Sequence, residues 1–185
     1  SRKFHVDVDP RVERVLGALP GANCGACGNP SCFAAAEAMV AGTIPITSCT
    51  AGGQTVADAV ADALGVEKCA VSSSVSMRHC GGGSVVSRTF NYGGVMTCNA
   101  AAKVAGGDLA CDSGCLGYGD CTRACPFGAI VMDGRGLPVI DLELCTGCEI
   151  CTHECPRGKI GLLVMGPAEG PVVVRCNAHD KVKDR

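Results

Sequence analysis

The 185-residue sequence is nearly neutral and poor in large side chains: it has 16 Lys and Arg against 18 Asp and Glu, with 4 Phe, 2 Tyr and no Trp. The balanced charge argues against a protein that binds nucleic acid through a basic face, so no nucleic-acid partner is expected. Because few large side chains are available to build a core, another kind of link must help to hold the fold.

The chain opens with a predicted small helical domain, residues 1–66. Asp9 is suited to the N-cap of a first helix and Pro10 to its first helical position, and apolar residues then recur on one face. An Ala-rich run over 33–41 predicts a second helix. An amphipathic run over 54–64, followed by Gly65, predicts a third.

The rest of the chain is divided by composition. Residues 67–97 are rich in Ser and Gly and are predicted to be a linker. Residues 98–176 are predicted to form a second module, with apolar runs at 162–165 and 172–174 as a small hairpin. Residues 177–185 are predicted to be a tail. The predicted fold class is therefore α+β, with a small helical domain followed by this second module.

The 16 cysteines are the main chemical feature of the sequence. Disulfide scaffolds belong to oxidising compartments, and the charged N-terminus does not read as a secretory signal. An apolar run of about 18 residues, as a membrane span requires, is also missing from the sequence as given. These observations favour a reducing compartment and cysteines that are metal ligands.

An internal repeat carries the strongest motif. Cys145-x2-Cys148-x2-Cys151-x3-Cys155-Pro has the spacing of bacterial ferredoxins, in which three thiolates bind one 4Fe–4S cluster and the cysteine before proline binds the other. At an offset of 30 residues the chain repeats the motif, with Tyr118 in place of the second cysteine.

We therefore expect the ligands of two clusters to interleave between the two repeats. One predicted set is Cys125, Cys145, Cys148 and Cys151. The other predicted set is Cys111, Cys115, Cys121 and Cys155. The second set has irregular spacing, and Cys98 or Cys80 remains an alternative for one of its ligands.

A third set lies in the N-terminal domain, where Cys24, Cys27, Cys32 and Cys49 are spaced Cys-x2-Cys-x4-Cys-x16-Cys. The residues around the first pair are small, which lets backbone N–H groups approach the sulfurs of a cluster. Four Cys without His suit a 4Fe–4S cluster. Zinc also uses Cys-x2-Cys pairs, but the interleaved ferredoxin motif has no rationale as a zinc site. The predicted architecture is therefore a small helical 4Fe–4S domain followed by a two-cluster module like a bacterial ferredoxin.

Four cysteines remain, namely Cys69, Cys80, Cys98 and Cys176. They are interpreted as buried structural thiols, with a fourth cluster involving Cys80, Cys98 or Cys176 as the alternative. The segments that begin at Cys98 and Cys176 share the pattern Cys-Asn-Ala-x-x-Lys-Val. This similarity suggests a longer parent protein with a further ferredoxin-like unit after residue 185.

The order of these motifs resembles the B subunit of Rnf-type ion-translocating ferredoxin:NAD oxidoreductases, in the version found in anaerobes. The resemblance covers nearly the whole chain and implies an electron relay within a translocase complex at the cytoplasmic face of the cell membrane. It implies reduced ferredoxin and the other subunits as partners. Family members begin with a membrane-spanning helix, so membrane association is expected through such a helix, missing here, or through partner subunits.

The sequence contains no nucleotide-binding loop and no nucleophile–base pair, so no catalytic residue and no cofactor beyond three 4Fe–4S clusters is predicted. NAD and flavin sites are expected on partner subunits. Two other hypotheses remain open. The chain could be an iron–sulfur activator of a corrinoid or other redox enzyme, or a zinc-stabilised interaction module.

Overall fold

The computed structural model describes residues 9–72, 74–164, 173–176 and 178. The chain divides into two compact units, the first ending at Ser72 and the second starting at Ser73. Helices occur in both units and strands in the second, so the described part of the chain is α+β, as predicted.

The first unit contains three helices, each bounded by a recognisable signal. They are α1 (Pro10–Ala18), α2 (Cys32–Val40) and α3 (Gly53–Leu64). The Asp9 side chain caps α1 by accepting from the Arg11 backbone N–H, and Ser31 caps α2 by accepting from the Ala34 N–H at 3.1 Å. Gly65 ends α3 in the left-handed conformation with φ 68°. All three predicted helices are confirmed.

The core of the first unit lies where α1 packs against α2 and α3. Val15 and Val60 are fully buried in it, together with Met39 and small alanines on α2. Three of the predicted ligand cysteines, Cys27, Cys32 and Cys49, pack against this core. The apolar face of α1 thus contributes to the core against which these three cysteines pack.

The second unit is built from two short repeats and two small antiparallel sheets. Its helices are α4 (Cys98–Lys103), α5 (Asp120–Ala124) and α6 (Ile150–Glu154), and its strands are β1 (Ser74–Arg78), β2 (Ile130–Met132), β3 (Pro138–Ile140) and β4 (Ile160–Val164). The helices α5 and α6 pack together, and each leads through a Cys-Pro pair into a strand. β2 pairs with β3, and β1 pairs with β4.

Strand β1 lies inside residues 67–97, which the sequence predicts to be a linker. It pairs with β4 in a register that sets Ser74 opposite Val164 and Arg78 opposite Ile160. The sequence does not predict this strand, because its serines suggest an exposed loop. In the structure one of them is buried: Ser76 is 2% exposed. Most of the first run of the predicted hairpin forms β4, which pairs with the distant β1. Residue 165 of the first run and residue 172 of the second lie outside the described residues.

In the described part of the chain, every helix is too short or too polar to span a bilayer.

Candidate iron–sulfur centres

The four cysteines of the N-terminal set line one cavity in the first unit. Cys24, Cys27, Cys32 and Cys49 share its wall with small residues such as Gly25 and Ala26. The structure therefore brings together all four residues that the sequence predicts for this site.

Asn23 fixes the loop that carries the first two of these cysteines. Its backbone has φ 47°, a left-handed conformation that Asn tolerates better than most residues. Its side-chain oxygen accepts a hydrogen bond of 2.8 Å from the backbone N–H of Cys32, at the start of α2. One side chain thus ties the Cys24–Cys27 loop to the helix that presents the third cysteine.

Burial raises the pKa of Cys49, and the neighbouring thiols of Cys27, Cys32 and Cys24 raise it further. Four thiolates cannot share a small buried cavity without a compensating positive charge. The iron of a cluster would supply that charge, as a bound metal does for coordinating thiols. The hydroxyl of Thr50 is buried beside this cavity and has no partner among the described residues, so it is free to donate toward a bound group.

A second cavity lies in the second unit and contains one predicted ligand set in full. Cys125, Cys145, Cys148 and Cys151 line it, with apolar residues such as Phe127 and Ile130. Cys125 comes from the first repeat and the other three cysteines from the second, so the interleaving that the spacing predicts is present in the structure.

A third cavity contains Cys115, Cys121 and Cys155, together with Cys98 at the start of α4. Burial raises the pKa of Cys115 to about 12 and that of Cys121 to about 11, with the neighbouring Cys98 contributing to both. Three cysteines of the predicted set therefore line this cavity. The fourth cysteine in its wall is Cys98, which the sequence analysis names as an alternative ligand.

Cys111, the fourth member of that predicted set, lines a different cavity, beside Cys80 and Cys176. The Cys80 thiol is buried and accepts a hydrogen bond of 3.3 Å from the backbone N–H of Cys115.

Cys69 and Cys176 are exposed, so their interpretation as buried thiols is wrong. Among the described residues, no three or more His, Cys, Asp or Glu side chains converge on a point where a single metal ion could sit; the thiols surround cavities instead.

Two positioning residues escape sequence analysis. Arg157, which its type suggests to be a solvated side chain, donates from Nη1 to the backbone oxygens of Cys111 and Gly114 at 3.0 and 2.8 Å, and from Nη2 to Gly106 O. Ser76, in the predicted linker, contacts the sulfurs of Cys145 and Cys151, two of the predicted ligands. For Arg157, the one signal in the sequence is that the sister repeat has Phe127 at the same position. The sequence contains no such signal for Ser76.

The donor sets suit iron–sulfur clusters. Among the described residues, each of the three cavities is bounded by four thiols and no imidazole, which is the ligand chemistry of a 4Fe–4S cluster. Thr50 and Thr146 directly follow predicted ligand cysteines and line two of these cavities, and their buried hydroxyls have no hydrogen-bond partner in the part of the chain that the structure describes. The residues present therefore fit the group that the spacing predicts.

Comparison with known protein families agrees with this chemistry. Residues 19–51 match the FeS family model, which describes an Fe–S cluster. Residues 110–159 match a model described as a 4Fe–4S dicluster domain. The two models cover the two segments in which the cavities gather most of their cysteines.

Similar proteins are known along nearly the whole chain. The B subunit of the Na⁺-translocating ferredoxin:NAD⁺ oxidoreductase complex of Acetobacterium woodii is 41% identical over 99% of this chain and 54% of its own length. The B subunit of an ion-translocating oxidoreductase complex of Methanosarcina acetivorans is 39% identical over 100% of this chain and 69% of its own length. The B subunit of the proton-translocating ferredoxin:NAD⁺ oxidoreductase complex of Clostridium ljungdahlii is 38% identical over 98% of this chain and 63% of its own length.

This chain thus spans between 54% and 69% of the length of these relatives. The alignments cover 98% to 100% of this chain at 38% to 41% identity, and one segment matches the 4Fe–4S dicluster model. The chain is therefore an iron–sulfur electron-transport protein that belongs to the family of B subunits of Rnf-type ion-translocating oxidoreductase complexes.

Proposed function

We propose that this chain is an electron relay that holds three 4Fe–4S clusters, accepts electrons from reduced ferredoxin and passes them to other subunits of an ion-translocating ferredoxin:NAD oxidoreductase. The observation that carries the proposal is the presence of three cavities, each bounded by four cysteine thiols. When bound, each cluster would accept and release one electron. The protein's own residues space, insulate and tune these centres.

We assign one cluster in the second unit to Cys125, Cys145, Cys148 and Cys151 and the N-terminal cluster to Cys24, Cys27, Cys32 and Cys49. For the third cluster we propose Cys98, Cys115, Cys121 and Cys155, because these four line one cavity while Cys111 lines another. Cys111, which the spacing predicts, stays the alternative ligand, and the paired substitutions described in the Discussion separate the two.

The proposed donor is ferredoxin, which appears in the names of two of the relatives. Anaerobic mixing of the iron-loaded chain with excess reduced ferredoxin tests this step. Each electron gained by the chain is lost by ferredoxin, so we expect the EPR signals of the chain's reduced clusters to appear as the signal of reduced ferredoxin declines, without another mediator. Reduction of the chain's clusters by dithionite, with none by reduced ferredoxin, would remove ferredoxin from the proposal.

We propose that the chain works at the cytoplasmic face of the cell membrane, held there by other subunits or by a segment of its parent protein. Protease treatment of inverted and right-side-out vesicles that contain the whole complex tests this placement. The chain should be cut in inverted vesicles and protected in right-side-out vesicles, and the reverse pattern would contradict the proposal.

A further inference from the structure

Strand β1 contributes a polar residue to one cluster cavity of the second unit. Ser76 lines the cavity of Cys125, Cys145, Cys148 and Cys151. Its backbone is held in place because β1 is paired with β4, and Ser76 lies opposite Leu162 in that register. At 2% exposure it has no access to bulk water.

Both donor groups of Ser76 meet ligand sulfurs. Its backbone N–H donates to Cys145 Sγ at 3.3 Å, and its Oγ lies 3.2 Å from Cys151 Sγ. A thiolate that binds iron has no proton to give, so in the loaded protein the hydroxyl must be the donor and the sulfur the acceptor. Both contacts then become hydrogen bonds to charged acceptors, which are stronger than neutral ones.

From this geometry we propose that Ser76 is a positioning residue that raises the reduction potential of the cluster held by Cys125, Cys145, Cys148 and Cys151; the inference rests on the proposed function. A reduced cluster carries one more negative charge than an oxidised one, so a donor aimed at its sulfurs stabilises the reduced form more. Hydrogen bonds to sulfur and solvent exclusion are known levers on cluster potentials.

The contact is specific to one of the two centres in the second unit. Among the described residues, no member of β1 lines the cavity of Cys98, Cys115, Cys121 and Cys155. The two repeats are alike in sequence, and β1 is an element outside them that covers only one centre. The two donors of Ser76 therefore act on one of these centres, while the other receives a backbone donor of its own, the Lys159 N–H on Cys155 Sγ at 3.1 Å.

The test compares Ser76→Ala with two matched variants of the complete, iron-loaded chain. Ser76→Thr keeps the hydroxyl. Ser74→Ala removes a hydroxyl from the same face of β1 that donates to no ligand sulfur among the described residues. Midpoint potentials are measured by anaerobic redox titration with EPR detection, and iron content is measured on the same samples.

We expect Ser76→Ala to retain its iron and to shift one of the three midpoint potentials to a more negative value. A tenfold smaller ratio of reduced to oxidised cluster at a fixed applied potential corresponds to a shift of about 59 mV for a one-electron couple. Ser76→Thr and Ser74→Ala should keep the wild-type value, and the other two centres should not shift in any variant.

Unchanged potentials in a fully loaded Ser76→Ala protein would overturn the inference, and so would an equal shift in Ser74→Ala or Ser76→Thr. If Ser76→Ala loses iron, Ser76→Gly replaces it in the test. This variant also lacks the hydroxyl, and we expect the same negative shift of one midpoint potential. Loss of iron from both variants would overturn the inference in favour of a purely structural role. A wild-type chain that does not load three clusters would instead defeat the proposed function.

Discussion

The hydroxyl of Tyr118 donates a hydrogen bond of 3.2 Å to the carboxylate of Asp108. Asp108 is 1% exposed and is also paired with Arg88. Tyr118 occupies the position that Cys148 fills in the second repeat. The first repeat thus uses this position to bind one oxygen of a buried carboxylate, so the cluster that we propose there would take its fourth ligand from elsewhere in the chain.

We predict that Cys98 is that ligand. Cys98→Ala should reduce the iron content of the chain, or change the EPR spectrum of one centre, because Cys98 lines the cavity of Cys115, Cys121 and Cys155. Cys111→Ala is the matched control and should retain the wild-type iron count and spectrum, since Cys111 lines a separate cavity. The opposite pair of results would restore Cys111 to the ligand set.

The phenol of Tyr118 is predicted to titrate above its ordinary pKa of 10.0, because burial disfavours the phenolate and the Asp108 carboxylate repels it, against an opposing effect of Arg88. A raised pKa favours the neutral phenol in the folded chain. This contribution to stability is complete below pH 10.0 and is lost as the pH rises through the folded value.

Ultraviolet difference titration of the phenolate in wild type and in Tyr118→Phe isolates this group, because Tyr92 is the only other tyrosine in the sequence. The expected decline in stability above pH 10.0 should be smaller in the variant than in wild type, by the contribution of Tyr118. A Tyr118 titration at or below the ordinary value would contradict the described contact with Asp108.

Arg157 is predicted to hold the loop that carries Cys111 and Gly114. Arg157→Lys keeps the charge, but one ammonium cannot reproduce the fork that reaches three backbone oxygens. We expect a cost of about 1–3 kcal/mol, seen as faster amide hydrogen exchange over residues 106–114 and faster iron release to a chelator.

Arg135→Lys serves as the control for Arg157→Lys. Arg135 pairs with Asp133 at 3.7 Å on an exposed turn, where an ion pair contributes little. If both lysine variants exchanged and released iron like wild type, the three contacts of Arg157 would have no structural role.

Asn23 is predicted to set the stability of the N-terminal centre. Asn23→Gly keeps a residue that tolerates φ 47° but loses the side chain that accepts from the Cys32 N–H and donates to the Gly21 backbone oxygen at 3.2 Å. Each lost hydrogen bond costs about 1 kcal/mol, or about fivefold in rate. Asn23→Ala adds the strain of a left-handed alanine, roughly 1 kcal/mol more. Iron release from this centre should therefore be slowest in wild type, faster in Asn23→Gly and fastest in Asn23→Ala; equal rates in all three would contradict this account.

Local signals in the sequence predict the first unit well. Its helices are bounded by Asp9, Ser31 and Gly65, whose preferences depend on a few neighbouring residues. The spacing of the N-terminal cysteines and of the regular ferredoxin repeat is equally local. The structure gathers two sets around two separate cavities in the predicted combinations: Cys24, Cys27, Cys32 and Cys49, and Cys125, Cys145, Cys148 and Cys151.

Long-range contacts account for what the sequence does not predict. Ser76 lies 75 residues before Cys151 and meets it only because β1 pairs with β4. Cys98 likewise reaches the third cavity through the packing of α4, which no spacing rule encodes. Arg157 contacts backbone oxygens that lie 43 to 51 residues earlier in the chain, so its type alone suggests a surface charge.

The most direct test of the central claim is metal and acid-labile sulfide analysis of the chain purified without oxygen, with EPR spin counting after reduction. The account predicts a brown protein with about twelve irons, an equal amount of sulfide and about three paramagnetic centres per chain. A colourless protein with about three zinc ions and no sulfide, or one whose cysteines are joined as disulfides, would contradict it.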